Sequence, residues 1–241
     1  MSYRGMKKKL LLLSNSTNPG EPYLSWPEPH IKDFLGESVK KILFIPYAGV
    51  TISYDEYFKA VCTQLNNFGY QVDSIHLIEI KEDFFSNYHA IVIGGGNTFQ
   101  LADILQKNNL MAPIRKSVEN GMPFMGWSAG SNITCPTIKT TNDMPIVEPY
   151  SFEGLNLIPF QINPHYTEST IPNHGGESRE MRINEFVAIN KDTHVLGLPE
   201  GSLLRIEDGQ MTFIGKGSCK LFYYEKSAQS FKDGDDLTWL L

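Results

Sequence analysis

The sequence predicts an α/β protein with an open, mostly parallel sheet, helices on both faces of that sheet and a C-terminal β-hairpin. Short, continuous apolar runs alternate with segments whose apolar side chains recur at helical spacing, which is typical of parallel strands joined by crossover helices. Each early run ends in glycine or small polar residues, as strand-to-helix turns do. Near the end of the chain, two apolar runs flank Asp208-Gly209, a pair that favours a tight hairpin turn.

The first half of the chain supplies most of the predicted strands. Apolar runs predict strands over residues 10–13, 42–45, 71–78, 89–93 and 122–127. Apolar side chains at helical spacing predict helices over residues 54–68, 98–106 and 111–119. The first of these helices is expected to stop before Gly69, because glycine commonly follows the end of a helix.

The second half continues this pattern and then changes character. Two more strands are predicted over residues 158–163 and 194–198, with a helix over 179–189 between them. The hairpin strands are then predicted over residues 203–206 and 211–214. A last strand is predicted over residues 220–224.

The composition describes an ordinary globular protein and excludes two classes of partner. Hydrophobic residues make up 41% and charged residues 20% of the chain, which has no internal repeat or linker, so we expect one catalytic domain over residues 1–241. The net charge of −6 argues against nucleic acid, because phosphate binding needs a basic surface. No apolar run approaches the roughly 20 residues that span a bilayer, so we expect no membrane partner.

Cysteine and histidine usage indicates a cytoplasmic protein without a metal site. Cys62, Cys135 and Cys219 are odd in number and widely spaced, which favours reduced thiols over disulfides or a zinc site. The basic residues 7–9 precede only a short apolar run, which we interpret as a buried first strand and not as a signal peptide. No H-E-x-x-H or comparable spacing occurs, and we expect neither a metal nor a cofactor.

The pattern Gly126-x-Ser128-x-Gly130 is the first candidate for chemistry. A serine hydroxyl is a weak nucleophile until a base removes its proton. The pattern is typical of a sharp strand-to-helix turn that projects the serine, and glycines suit that turn because they lack a β-carbon. A turn without chemical significance is the alternative interpretation, but the surrounding sequence favours a nucleophile.

Three further clusters follow predicted strands, namely the run Gly94-Gly95-Gly96-Asn97, His165 and Glu200. In open α/β sheets, ligands collect at the carboxyl ends of the strands, so we expect these clusters and Ser128 at one edge of one sheet. Asn97, directly after the glycines, is a candidate substrate-binding residue.

The glycine run has two competing interpretations. A dinucleotide fingerprint needs a third glycine, and Phe99 occupies its position. An oxyanion hole needs only backbone N–H groups that a substrate carbonyl can approach closely. We therefore expect Gly94 or Gly95 to supply one donor and Ala129, the residue after the nucleophile, to supply the other. A tight turn without chemistry is compatible with either interpretation.

His165 is the candidate general base, because Pro164 restricts the backbone that leads to it and because it closely follows a predicted strand. His174, in a glycine-rich loop, is the reserve candidate. Two acids compete to orient the imidazole: Asp143 in a polar loop and Glu200 at a strand end. The alternative role for Asp143 is an Asx-turn, and the strand-end position favours Glu200.

These motifs, in this order, resemble peptidase E, the cytosolic α-aspartyl dipeptidase family. The resemblance extends from residue 11 to about residue 201, with a loose match over residues 19–40. It is weakest in the C-terminal stretch after residue 209. Besides the glycine run and the Ser128 motif, the blocks that carry it are residues 11–16, 45–50, 135–138, 141–147, 161–165 and 198–201.

The resemblance implies a serine exopeptidase that hydrolyses dipeptides with an N-terminal aspartate (Asp-X). It also implies a fold related to the flavodoxin-like class I glutamine amidotransferases, although those enzymes use a cysteine nucleophile. The expected partner is therefore a small peptide substrate, bound by a monomer or a homodimer.

The resemblance also assigns roles to individual residues. Ser128 matches the family nucleophile and His165 its base, while Asp143 and Glu200 both match acidic positions of the site. Arg179 matches an arginine that binds the substrate aspartate, which suits a guanidinium because it can hold a carboxylate with two hydrogen bonds. The alternative for Arg179 is a solvated residue at a helix start.

Three rival functions remain open at this point. Cyanophycinase, a relative with the same type of serine site, cleaves an aspartate–arginine polymer and needs an open cleft. A catalytically silent binding protein on an amidotransferase-like scaffold is the second rival, and the intact set of serine, histidine and acids counts against it. A general esterase is the third, but the α/β-hydrolase order would place the histidine much later than residue 165.

Overall fold

The structure is a computed structural model, and it describes residues 8–80, 84–169 and 175–241. The helices within these ranges are α1 (Glu28–Leu35), α2 (Tyr54–Asn67), α3 (Thr98–Lys107), α4 (Met111–Glu119), α5 (Ala129–Asn132) and α6 (Arg179–Ile189). The strands are β1 (Leu10–Leu13), β2 (Lys41–Ile45), β3 (Gln71–Ser74), β4 (Ala90–Ile93), β5 (Phe124–Trp127), β6 (Gln161–Tyr166), β7 (Val195–Pro199), β8 (Ser202–Glu207), β9 (Gln210–Gly215), β10 (Ser218–Phe222) and β11 (Gln229–Lys232).

The main sheet has the strand order β3-β2-β4-β5-β1-β8-β9. Its first five strands are parallel, and the hairpin β8-β9 adds to the edge of β1 in antiparallel direction. Leu10 and Leu12 belong to a buried cluster that includes α3 and α4, whereas Leu11 and Leu13 belong to one that includes α1 and α2. The predicted α/β class, with its mostly parallel sheet and C-terminal hairpin, is confirmed.

A second, smaller sheet has the order β11-β10-β7-β6, in which β6 and β7 are parallel. The structure therefore differs from the single sheet edge that we expected, because β8 pairs with β1 and occupies the edge that β6 or β7 would need. Ile162, Leu196 and Leu221 of the second sheet lie in the same buried cluster as Leu12. The two sheets thus share one hydrophobic core, and their carboxyl ends meet.

Most predicted elements form close to their predicted bounds, and the differences have local causes. β3 ends at Ser74, because Ile75–Leu77 turns into a 3₁₀ helix. β6 covers Gln161–Tyr166, so it begins and ends three residues later than predicted, and His165 lies inside the strand. We did not predict α1, which begins after Pro27 and buries Ile31, Phe34 and Leu35, or β11, whose residues are mostly exposed. Within the described ranges, no helix is long and apolar enough to cross a membrane.

Candidate active site

Ser128 occupies the turn between β5 and α5 with a strained backbone. Its φ of 53° and ψ of −113° lie outside the regions that residues with a side chain normally adopt, a strain worth about 1–3 kcal/mol. The amide of Ser128 donates to the carbonyl of Leu13 at 3.1 Å, which ties the turn to β1. The side chain is therefore held at the carboxyl end of the main sheet by backbone contacts.

The two glycines of the motif are required by packing. A β-carbon added at Gly126 would lie 2.3 Å from the carbonyl oxygen of Gly130, and one added at Gly130 would lie 2.1 Å from that of Ile93. Both distances are far shorter than any van der Waals contact. The turn after β5 can therefore approach β4 only because these positions carry no side chain.

A chain of hydrogen bonds joins Ser128 to a histidine and an acid from the second sheet. His165 Nε2 lies 2.8 Å from Ser128 Oγ, and His165 Nδ1 lies 2.8 Å from Glu200 Oε1. The exposed fractions of the His165 and Glu200 side chains are 37% and 51%, so this pair opens toward solvent. The reserve candidate His174 lies outside the described residues.

His165 reaches Ser128 because of an irregularity in β6. The register of β6 against β7 shifts between Pro164 and Tyr166, so that His165 forms a β-bulge with a φ of 53°. Bulges turn a side chain away from the regular alternation of a strand. Glu200 directly follows β7, and the parallel pairing of β6 with β7 brings its carboxylate beside the imidazole.

Asp143 lies elsewhere, at the N-terminus of α3. Its Oδ2 accepts hydrogen bonds from the Thr98 amide at 2.7 Å, the Thr98 hydroxyl at 2.6 Å and the Thr141 hydroxyl at 2.8 Å. No described residue donates to its Oδ1. Of the two candidate acids, the structure brings Glu200, and not Asp143, into contact with His165.

The glycine loop lies directly beside Ser128. A β-carbon added at Gly95 would be 3.1 Å from Ser128 Cβ. The Gly94 amide donates to the Ile45 carbonyl at 3.2 Å and is therefore occupied. No described residue accepts a hydrogen bond from the amides of Gly95 and Ala129, so both are available to a ligand.

Two buried aromatic residues, which the sequence analysis did not single out, support this loop. Tyr57 donates a hydrogen bond from its hydroxyl to the Gly95 carbonyl at 2.9 Å, and that hydroxyl accepts one from Trp127 Nε1 at 3.1 Å. Burial raises the pKa of Tyr57 well above its ordinary value, so the hydroxyl keeps its proton and remains a donor. No motif indicated Tyr57, because its position depends on long-range contacts with Phe44 of β2 and Trp127 of β5.

The two predicted substrate-binding residues hydrogen-bond to the residues that flank Asp143 in the sequence, Asn97 to Met144 and Arg179 to Asn142. Asn97 caps α3 through its Oδ1, which accepts from the Gln100 amide at 3.1 Å, and its Nδ2 donates to the Met144 carbonyl at 2.8 Å. Arg179, the first residue of α6, donates to Asn142 Oδ1 at 2.5 Å.

Asn142 in turn connects Arg179 to the strand of the histidine. Its Nδ2 donates to the carbonyl of Pro164, the residue before His165, at 2.6 Å. The pKa of Arg179 is lowered, mainly because its guanidinium is partly buried. The positive charge of Arg182 lowers this pKa further, whereas the negative charge of Asp143 raises it. The guanidinium therefore lies on the histidine side of the site and within electrostatic range of Asp143.

The sequence profile of peptidase family S51 matches residues 10–214. The chain belongs to peptidase family S51. The resemblance to peptidase E is confirmed as well, because two relatives named "Peptidase E" cover almost the whole chain. The one from Nostoc sp. (strain PCC 7120) is 53% identical over 98% of both chains. The one from Escherichia coli O6:K15:H31 is 41% identical over 94% of this chain and 98% of its own.

Solved structures agree with the S51 assignment at the level of the fold. A putative peptidase E protein from Listeria monocytogenes EGD-e has a TM-score of 0.64 at 20% identity, and the match covers 87% of this chain and 99% of that one. A peptidase from an acI-B1 actinobacterium has a TM-score of 0.69 at 19% identity, with 97% of both chains covered. The chain is therefore a serine-type peptidase of family S51 with that family's fold.

Proposed function

We propose that this S51 peptidase is a dipeptidase that hydrolyses Asp-X through an acyl-enzyme on Ser128. The observation that carries the proposal is the continuous chain from Ser128 Oγ through His165 to Glu200, with both hydrogen bonds at 2.8 Å. The name peptidase E, borne by a relative that is 53% identical, supports the same activity. We propose that residues 1–241 act as one catalytic domain in the cytoplasm, as a monomer or homodimer, and the shared core of the two sheets supports the single domain.

In the first half of the proposed reaction, Ser128 attacks the carbonyl carbon of the N-terminal aspartate. His165 Nε2 takes the hydroxyl proton as the Oγ–carbon bond forms, and Glu200 stabilises the resulting imidazolium. The amides of Gly95 and Ala129 receive the oxyanion, because they are the donors beside Ser128 that make no other hydrogen bond with a described residue. His165 then protonates the leaving amino group, and the peptide bond breaks.

The second half of the reaction releases aspartate by the reverse route. Water replaces the departed amino acid, and His165 takes its proton as the oxygen attacks the ester carbon. The same two amides receive the second oxyanion. Collapse of this intermediate returns the proton to Ser128 Oγ and frees aspartate.

An Asp-X dipeptidase must recognise both charges of the N-terminal residue. Arg179 is proposed to bind the aspartate side chain, because its guanidinium has five N–H donors and only one is engaged with Asn142. Asp143 is proposed to bind the free α-amino group through Oδ1, the oxygen without a described partner. Asn97 is proposed to contact the substrate from the end of the glycine loop.

The test of the activity is chromatographic detection of aspartate released from Asp-Leu. N-acetyl-Asp-Leu, Leu-Asp and the Ser128→Ala protein are the controls. Release from Asp-Leu alone, abolished in Ser128→Ala, supports both the serine mechanism and the need for a free N-terminal aspartate. If folded wild-type protein releases no aspartate from Asp-Leu but degrades aspartate–arginine polymer, the dipeptidase proposal is wrong.

The recognition of aspartate is tested separately with Arg179→Met. We expect KM for Asp-Leu to rise about 10- to 100-fold, because a charge-assisted pair to the substrate carboxylate is lost. Arg182→Met is the matched control, since Arg182 lies on the same helix with a side chain that is 61% exposed and ion-paired to Glu177. Equal effects of the two substitutions would contradict a substrate-binding role for Arg179.

A further inference from the structure

Two buried polar residues that the proposed mechanism does not use lie beneath the acid–base pair. Ser14 and Asn15 directly follow β1, and their exposed fractions are 0% and 3%. Buried polar side chains lower stability unless they are hydrogen-bonded, so their partners indicate why they are there. Each of the two residues has at least one partner in the strands or the turn that carry His165 and Glu200.

Ser14 joins the backbone of His165 to β7. Its Oγ accepts a hydrogen bond from the His165 amide at 2.9 Å and donates one to the Leu198 carbonyl at 2.8 Å. The bulge at His165 removes its amide from the regular β6–β7 pairing, and the Ser14 hydroxyl takes the place of a strand partner. The left-handed conformation of His165 is thereby tied to the end of the main sheet.

Asn15 holds the turn that carries Glu200. Its Oδ1 accepts a hydrogen bond from the amide of Gly201, the residue after Glu200, at 2.7 Å. Its Nδ2 donates to the Thr17 carbonyl at 2.8 Å and to Asn18 Oδ1 at 2.9 Å, so the amide group cannot rotate freely. Gly201 has a φ of 72°, which makes this turn tight and its orientation dependent on such a contact.

We propose that Ser14 and Asn15 are positioning residues that set the geometry of the His165–Glu200 pair against Ser128. Adjacent residues of the first strand's end hold the base and the acid, so one short segment controls both links of the hydrogen-bond chain. The inference rests on the proposed serine mechanism. A displacement of about 1 Å in such a chain costs on the order of 100-fold in rate, so losing either contact lowers kcat while substrate binding is retained.

The first test compares Ser14→Ala with Ser74→Ala. Ser74 is a matched control, because it is equally buried, ends the parallel strand β3 and hydrogen-bonds to the Phe44 carbonyl and to His76, away from the site. We expect Ser14→Ala to lower kcat for Asp-Leu about 10- to 100-fold with KM changed less than about two-fold. Ser74→Ala should leave both constants within about two-fold of wild type.

A second readout does not depend on the substrate. An alkyl fluorophosphonate reacts with an activated serine: the Ser128 Oγ–phosphorus bond forms, the phosphorus–fluorine bond breaks, fluoride leaves and His165 accepts the hydroxyl proton. Mass spectrometry gives the rate of this reaction. Wild-type protein that is phosphonylated at Ser128 but inactive on Asp-Leu contradicts the dipeptidase proposal only, and the positioning role is then judged from phosphonylation rates.

The decisive comparison repeats Ser14→Ala in a His165→Ala background. If Ser14 acts only through His165, it has no imidazole to position in the His165→Ala protein. Adding Ser14→Ala to that protein should therefore change the residual rates less than about two-fold. If Ser14→Ala lowers the rates equally in both backgrounds, or has no effect in wild type, the positioning role is wrong. If the Ser14→Ala protein does not fold, Ser14→Cys and Asn15→Leu are compared in the same two backgrounds. The same results then support or contradict the positioning role.

Discussion

The two halves of the site are built in different ways. The nucleophile half contains the proposed nucleophile Ser128 and its glycine loop. It belongs to the main sheet and is held by close backbone packing that leaves no room for a β-carbon. The acid–base half contains the proposed base His165 and the proposed acid Glu200. It belongs to the second sheet and is held by hydrogen bonds, with side chains that are 37% and 51% exposed. Substitutions that add bulk to the nucleophile half should therefore mainly lower the stability of the protein. Substitutions that remove a polar group from the acid–base half should mainly lower kcat.

The largest effect is expected in the acid–base half, from Glu200→Gln. Because the carboxylate next to His165 is lost, kcat should fall about 10²- to 10⁴-fold while KM stays nearly unchanged. Asp143→Asn is the comparison, and it should mainly raise KM for Asp-Leu, about 10- to 100-fold, because the proposed charged partner of the amino group is lost. Steady-state kinetics on Asp-Leu separate the two. The reverse pattern would exchange the roles of the two acids.

A single methyl group added to the nucleophile half should lower the stability of the protein. At Gly130, alanine would place its β-carbon 2.1 Å from the Ile93 carbonyl oxygen, so the turn must move away from β4. We expect Gly130→Ala to lower the free energy of unfolding by about 3 kcal/mol, measured by urea denaturation.

Gly175→Ala is the control for that substitution, since an added β-carbon there meets no described atom within 4 Å. It should change the free energy of unfolding by less than about 0.5 kcal/mol. A Gly130→Ala protein as stable as wild type would show that packing does not hold the nucleophile half.

A smaller effect is expected where a hydrogen bond supports the nucleophile half. Tyr57→Phe removes the donor to the Gly95 carbonyl and the acceptor of Trp127 Nε1. Stability should fall by about 1–3 kcal/mol and kcat by about 10-fold, because the loop that is proposed to supply an oxyanion donor loses its support. Tyr70→Phe is the control, since Tyr70 is buried directly before β3 and its hydroxyl bonds to no described residue. Equal kcat losses in both variants would contradict this role for Tyr57.

The same contrast explains what the sequence could predict. Ser128 and its glycines follow from local geometry, because a strand that turns sharply into a helix needs small residues at fixed spacing, and the structure has that turn. That His165 lies on a bulge of a separate sheet depends on β8 taking the edge of β1, a pairing between distant residues that no local pattern encodes. Ser14 and Tyr57 were missed for the same reason, since their contacts exist only after folding.

The smallest effect on activity is expected from alkylation of the cysteine thiols. This experiment also tests whether a serine or a cysteine carries out the reaction. Burial raises the pKa of Cys135 and of Cys219 to about 12, because a thiolate is poorly solvated there. At pH 8 only about one thiol in 10⁴ is ionised at either position, so neither should react with iodoacetamide in the folded protein. Cys62 on α2 is partly exposed and should be labelled.

Activity on Asp-Leu should therefore stay within about two-fold of its starting value after complete labelling of Cys62. Cys135 is the informative position, because its sulfur accepts a hydrogen bond from the Ile162 amide at 3.1 Å and so links the segment after Ser128 to β6. Rapid labelling of Cys135 at pH 8 with loss of activity would mean that the two halves separate readily in solution. Slow labelling, together with full activity, supports a junction that stays closed while Ser128 and His165 react.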